Sequence, residues 1–221
     1  LIPRDINKCI YYFSLSANQN FADAQFNLGY LYEKGELITR DMNKSIYYYS
    51  LAANQNHAKA QSNLGLLYGI SKLVPRDINK SIHYFSLAAN QNCAIAQLCL
   101  GYLYGISKLI PRDMNKSIHY YSLAADQNNA IAQFCLGLLY QEGGLIPQDI
   151  NKSIYYYSLA ADQKHVAAQF YLAIIYISRK KVKNGIEYLT FSANHNFINS
   201  LFTLALFNLK GLYIKKNPEK G

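Results

Sequence analysis

No apolar run in the 221-residue chain approaches the ~20 residues that a membrane-spanning helix needs, so no such span is expected. Cysteine is scarce, with four in all. Cys93 and Cys99 lack metal-ligand spacing. Cys99 and Cys135 fall in one slot of successive helices, where the ~8–10 Å between packed axes exceeds the ~7 Å Cα separation a disulfide bridges. Cys9 takes a small-residue slot. The thiols are therefore expected to be unbridged, which favours a reducing compartment and a cytoplasmic location. Catalytic constellations are wanting too. His119, Ser122 and Asp126 share a helix face at spacings of three and four. A working triad needs an acid behind the His and an oxyanion hole before the Ser, and one exposed helix supplies neither. The sister repeat has Asn90 in place of the acid. His83 and His119 occupy equivalent slots on neighbouring helices, too far apart to share a metal. No catalytic residue, metal site or cofactor is expected.

What the chain does contain is repetition. Arg-Asp-aliphatic-Asn-Lys begins at Arg4, Arg40, Arg76 and Arg112, 36 residues apart. Gln148 opens a fifth copy without the Arg. A sixth follows at a shorter spacing, with Gly185-Ile186 aligned on Ser153-Ile154. The closing "NPEKG" matches the start of a seventh. The chain opens without Met, inside a loop and without a secretory pattern, and stops inside a motif; a piece of a longer array is the expectation. Periods of about 20–50 residues are the mark of a solenoid.

The second copy illustrates the unit. Asp41 precedes an apolar-periodic run and suits a helix N-cap. At 3.6 residues per turn, Met42, Ser45, Ile46, Tyr48, Tyr49, Ala52 and Ala53 share one face. Asn56 suits the left-handed conformation that stops a helix. A second helix carries Ala60, Gln61, Leu64, Gly65 and Tyr68. Gly65 costs ~1 kcal/mol relative to Ala inside a helix, which makes sense if another helix approaches closely there. "LVPRD" leads to the next copy.

"SIYYYSLAANQNHAKAQSNLGLLY…LVPRD" resembles the Sel-1-like repeat, a relative of the tetratricopeptide repeat, over essentially the whole chain. The residues that carry the likeness are Ala52-Ala53, Ala60-Gln61, Leu64-Gly65, Tyr68 and Val74-Pro75-Arg76-Asp77. Asn20, Asn56, Asn92 and Asn128 replace the helix-stop Gly of the pattern. Leu37, Leu73, Leu109 and Leu145, with Ser71 and Ser107, replace its loop glycines. Ala173 and Ala205 replace its helix Gly, so wider packing is expected there. The resemblance implies an all-α, right-handed α/α superhelix of about six helix-turn-helix repeats. They form a single solenoid over 1–221, with repeats near 5–40, 41–76, 77–112, 113–148, 149–180 and 181–216. The tetratricopeptide period is ~34 with different signature residues. A pentatricopeptide RNA reader varies its base-reading side chains between repeats, whereas these repeats are nearly identical.

Opposite the core stripe, the first helix keeps aromatic or apolar residues. One slot reads Tyr11, Tyr47, His83, His119, Tyr155 and then Glu187; the next reads Leu15, Leu51, Leu87, Leu123, Leu159 and then Phe191. Asn43, Asn79 and Asn115 edge them, beside Lys44 and its equivalents. Exposed apolar patches mark interaction sites, although the leucines could equally pack sideways on a neighbouring repeat. The resemblance implies that first helices line a concave surface where a protein or peptide partner lies. The expected function is a non-enzymatic interaction scaffold. The alternative is a regulatory array attached to a catalytic domain outside this chain.

A nucleic-acid binder is the weakest reading. Residues 1–178 carry 14 Lys/Arg against 11 Asp/Glu, and residues 179–221 carry 8 against 2, so the net charge of +9 resides mainly in "SRKKVK" and the last residues. A cluster of this kind is usually a solvated loop. Asn-Lys-Ser at Asn43, Asn79, Asn115 and Asn151 is formally a glycosylation sequon, which keeps the endoplasmic reticulum lumen as a lesser possibility. The Ser falls on the buried helix face, however. From Tyr140 to Asp149 is nine positions, but from Tyr176 to Lys181 only five. A tight connection, or a helix starting early at Ser178, is expected there, with a local change of pitch.

Overall fold

A computed structural model describes residues 5–209. The described residues form twelve α-helices and no strand. Two compact units make up the chain, residues 1–123 and 124–221. The first holds α1 (Ile6–Asn18), α2 (Ala22–Lys34), α3 (Met42–Asn54), α4 (Ala58–Gly69), α5 (Ile78–Asn90), α6 (Ala94–Gly105) and most of α7 (Met114–Asp126). The second holds the last turn of α7 with α8 (Ala130–Glu142), α9 (Ile150–Asp162), α10 (Val166–Ser178), α11 (Val182–Asn194) and α12 (Ile198–Leu209). Odd-numbered helices are the first of each pair and even-numbered helices the second.

The repeated phrase now has a physical content. Asp41 caps α3 by accepting from the Lys44 amide at 3.0 Å, and Asp77, Asp113 and Asp149 do the same for Lys80, Lys116 and Lys152. The Lys44 ammonium returns to Asp41 at 3.9 Å and lies 5.1 Å from the Tyr32 ring centre. Ser81 and Ser117, fully buried, donate to the carbonyls of Gly65 and Gly101 at 2.7 and 2.8 Å. Each Ser of the Asn-Lys-Ser triplets is a core atom, as expected, while each Asn is exposed. Near the ends of α2, α4, α6 and α8, the carbonyls of Tyr32, Tyr68, Tyr104 and Tyr140 accept from the next Asp amide, Tyr68 O from Asp77 at 2.9 Å, which closes the loop.

The turns inside each pair close on Asn20, Asn56, Asn92, Asn128 and Asn196 with φ of 59–63°, and on Lys164 at 63°. Asn tolerates this region better than other residues with a Cβ, so it replaces Gly without altering the turn. Between α10 and α11 only Arg179, Lys180 and Lys181 remain, with Lys180 at φ 62°. The Lys181 amide still reaches Tyr176 O at 2.9 Å, so the usual Tyr-to-Asp bond survives across five positions. What is lost is the side-chain cap. The connection is tight as expected, and α11 starts at Val182 rather than Ser178.

Close approach at the helix glycines is direct. A Cβ on Gly65 would lie 2.5 Å from Phe85 Cδ1, and one on Gly101 the same distance from Tyr121 Cδ1. The α10–α11 pair keeps its closeness by moving the glycine to the other helix. Gly185 stands in the Ser slot, and a Cβ there would lie 2.9 Å from Ala173 O. The wider packing expected at Ala173 is thus offset from the α11 side. Ala205 lies on an exposed face of α12, where the described residues provide no following helix.

A buried glutamine series ties repeats together. Gln61, fully buried, donates from Nε2 to Ala53 O at 3.1 Å and accepts from Gln91 Nε2 at 2.7 Å. Gln25 repeats this with Ala17 O and Gln55, and Gln133, in the second unit, with Ala125 O and Gln163. The amide therefore caps its own first helix and holds the end of the next one. Replacing Gln61 by Met keeps volume but removes the bonds to the Gln91 amide and to Ala53 O. The expected loss is about 1–3 kcal/mol, read from urea unfolding; an unchanged midpoint would show that the series carries no stability.

His165 caps α10 by accepting from the Ala168 amide at 3.2 Å and stacks on Phe134 at 4.7 Å. Burial pushes its pKa below the ordinary 6.5. Because the folded pKa is the lower one, the unfolded chain takes up the proton first. This contribution is complete above about pH 6.5 and falls as pH drops toward the folded value. Asn129 caps α8 in the same slot, accepting from Ala132 at 3.0 Å. His165→Asn should keep the cap and flatten the fall in urea midpoint on acidification; an identical pH slope in both proteins contradicts this.

Candidate functional site

On the outer face of the first helices, the rungs of α3, α5, α7 and α9 are three-ring assemblies. Tyr47 is 58% exposed and meets Tyr48 edge-on, with centroids 5.1 Å apart. Tyr48 in turn stacks on Tyr32 of the preceding helix at 5.9 Å and 2°, and Lys44 covers Tyr32. The α5 rung is His83, Tyr84 and Tyr68 with Lys80; the α7 rung is His119, Tyr120 and Tyr104 with Lys116. In the second unit, Tyr155 meets Tyr156 at 5.1 Å, Tyr156 stacks on Tyr140 at 5.8 Å, and Lys152 covers Tyr140. Tyr11 is exposed and meets Tyr12 edge-on. The Tyr48 phenol is held above its ordinary pKa, first by burial, then by Tyr32 and Tyr47.

The aromatic slot is thus exposed at Tyr11, Tyr47, His83, His119 and Tyr155. The neighbouring slot differs. Leu15 of α1 is exposed, whereas Leu51, Leu87, Leu123 and Leu159 are half-buried, as sideways packing requires. Asn43, Asn79 and Asn115 are exposed beside the covering lysines. The helical pattern places Tyr48 on the core face and Tyr68 on the second helix, but nothing in it pairs them as supports for the outer slot. Their signal was present, since an aromatic residue follows the outer slot in every copy and Tyr ends each of the first five second helices.

Elsewhere chemistry is quiet. None of the four cysteines is in a disulfide, and burial pushes the Cys99 thiol up to about 11, so it is a poor nucleophile near neutrality. Among the described residues no three His, Cys, Asp or Glu side chains form a possible metal site, and no helix is long and apolar enough to cross a membrane. Of the basic segments, Lys180, Lys181 and Lys183 are exposed; "KGLYIKKNPEK", with the start of a seventh repeat, lies outside the described residues.

A family model described as "Sel1 repeat" matches residues 1–21, 22–57, 58–93, 94–129, 130–165 and 199–221. Its unmatched interval, 166–198, contains the shortened connection and the altered α11. Among solved structures, a Sel1 repeat protein from Oxalobacter formigenes is 28% identical, with TM-score 0.78 over 91% of this chain and 83% of its own. A protective antigen of uropathogenic Escherichia coli displaying an SLR fold is 24% identical, with TM-score 0.63 over 94% of this chain and 53% of its own. The immunity protein Pa5087 from Pseudomonas aeruginosa is 20% identical, with TM-score 0.52 over 85% of this chain and 73% of its own. A comparison with curated proteins gave no match.

Proposed function

This chain belongs to the Sel1 repeat family, whose members are generally protein-interaction scaffolds, and we propose that it is a non-enzymatic adaptor whose first-helix face holds an extended peptide or protein segment. The observation that carries this reading is the exposed aromatic rung, which recurs at a fixed slot and is propped from behind each time. Solubility alone would favour Lys or Glu there. A propped ring is an anchor already in its bound geometry, so little side-chain entropy is lost on contact. The half-buried leucines give the rungs an apolar floor, and Asn43, Asn79 and Asn115 offer amides to a partner backbone. In the concave arrangement of the family, Tyr47, His83 and His119 would face one partner. Four cysteines without a disulfide suit a reducing compartment such as the cytoplasm.

A photo-crosslinking residue at Tyr47 should capture the partner in cell extracts. The same residue at Tyr30, also solvent-facing but on a second helix, should not. Capture from position 30 alone would place the interface on the other face.

A further inference from the structure

In the second unit, the end of α9, the start of α10 and the face of α11 border a groove of about 430 Å³. It coincides with sequence changes in α11 and at its C-cap. Asn184 stands where Lys152 stands one repeat earlier, Glu187 where Tyr155, Phe191 where Leu159 and His195 where Gln163. The last change breaks the glutamine series. Gln169 lines the groove and is 3% exposed. Its Nε2 donates to Ala161 O at 3.3 Å, as Gln133 Nε2 does to Ala125 O at 3.2 Å. In the preceding repeat Oε1, on Gln133, accepts from Gln163 Nε2 at 2.7 Å. On Gln169 it is buried with no hydrogen-bond partner. His195 does not supply one: its Nδ1 lies 2.9 Å from Phe191 O and its ring stacks on Phe191 at 4.5 Å. A buried acceptor left without a donor calls for an explanation, a missing partner among them.

The rest of the lining describes that partner. Asp162 and Glu187 are exposed carboxylates with no ion pair among the described residues. Lys164 is the single basic residue on the lining. The Tyr188 phenol has a raised pKa, first from burial and then from Tyr176, Asp162 and Glu187, as a negative local field requires. Phe191 and Tyr188 add aromatic surface. An anion would be repelled by the carboxylates. An ammonium is a compact point charge that uses flat aromatic surface less well.

We propose that this groove is a guanidinium subsite, taking the arginine side chain of an extended partner segment. The planar cation lays its face on Phe191, donates to Asp162 and Glu187 through charge-assisted bonds, and gives one N–H to Gln169 Oε1. Glu187 and Phe191 continue the slots of Tyr155 and Leu159, so the subsite rests on the reading of this face as the partner surface.

The test uses the whole 221-residue chain and the peptide acetyl-Ser-Gly-Arg-Gly-Ser-amide, with citrulline and lysine versions as controls, titrated by NMR. The arginine peptide should shift Tyr188 and Phe191 resonances saturably. The citrulline peptide, of the same shape without charge, should bind about tenfold or more weakly, and the lysine peptide should fall between. Asp162→Asn with Glu187→Gln should cause a similar loss with no change in the urea midpoint, since both residues are exposed. His195→Gln, which restores a donor for Gln169 Oε1, should weaken arginine binding several-fold and raise stability. No saturable binding of the arginine peptide, equal binding of arginine and citrulline, or binding indifferent to Asp162→Asn with Glu187→Gln overturns the subsite. Because Tyr47, His83 and His119 lie outside the groove, a chain that ignores arginine yet captures its partner through position 47 loses this subsite alone.

Discussion

Replacing Gly101 by Leu is expected to destabilise the protein by about 1–3 kcal/mol through overpacking, read as a lower urea midpoint. The first added carbon already falls 2.5 Å from Tyr121 Cδ1. Tyr121 is 1% exposed and cannot swing into solvent. Nor can the helices part freely, because Ser117 donates to Gly101 O at 2.8 Å across the same contact. The chain contains its own compensated version. At the α10–α11 pair, Ala173 takes the Gly slot and Leu189, a thinner side chain, takes the slot of Tyr121; both are fully buried. Gly101→Ala combined with Tyr121→Leu should therefore cost less than the sum of the single changes, by at least about 0.5 kcal/mol. Strict additivity in that cycle, or a neutral Gly101→Leu, would show that ring and glycine do not compete for space. Because repeat stability is summed over units and their interfaces, the loss should also lower hydrogen-exchange protection in α5 and α6.

These contacts were partly legible in the sequence. A glycine inside a helix is costly and asks for a close neighbour, and the recurring Asp, Asn and Tyr marked cap, turn and loop closure at a fixed period. Each is a local signal, and local signals survive without a structure. The glutamine series was not legible. Gln61 was placed on the second helix, but its partner Gln91 lies 30 residues away, and nothing in either local pattern pairs them. The unpartnered oxygen of Gln169 is harder still, because the slot that holds its donor in other repeats is His195, in another repeat and on a helix end. The outer face was half legible. The helical wheel separates Tyr47 from the core, but it treats Leu51 as equally exposed. Whether Leu51 packs depends on the angle of the next helix, which the wheel does not contain.

Changing Tyr47, His83 and His119 together to Glu is expected to abolish partner capture, with affinity falling a hundredfold or more. That is the scale of losing about 3 kcal/mol, a modest share for several aromatic anchors in one interface. The three rings are exposed, and each touches the fold through an edge contact at 5.1–5.3 Å. The stacks behind them, Tyr32 on Tyr48, Tyr68 on Tyr84 and Tyr104 on Tyr120, remain in place. Glu is a good helix former, so the variant should keep its helical dichroism and nearly its urea midpoint. Three carboxylates in the anchor slots would repel an acidic segment and leave an apolar one facing hydrated charge. Tyr30→Glu with Tyr102→Glu, on second helices, supplies the same charge chemistry on another face and should leave capture intact. The comparison is made on the partner crosslinked from position 47, with affinity measured by titration against each folded variant. If the triple variant stays folded and binds with undiminished affinity, the aromatic rungs are not the surface through which the protein acts.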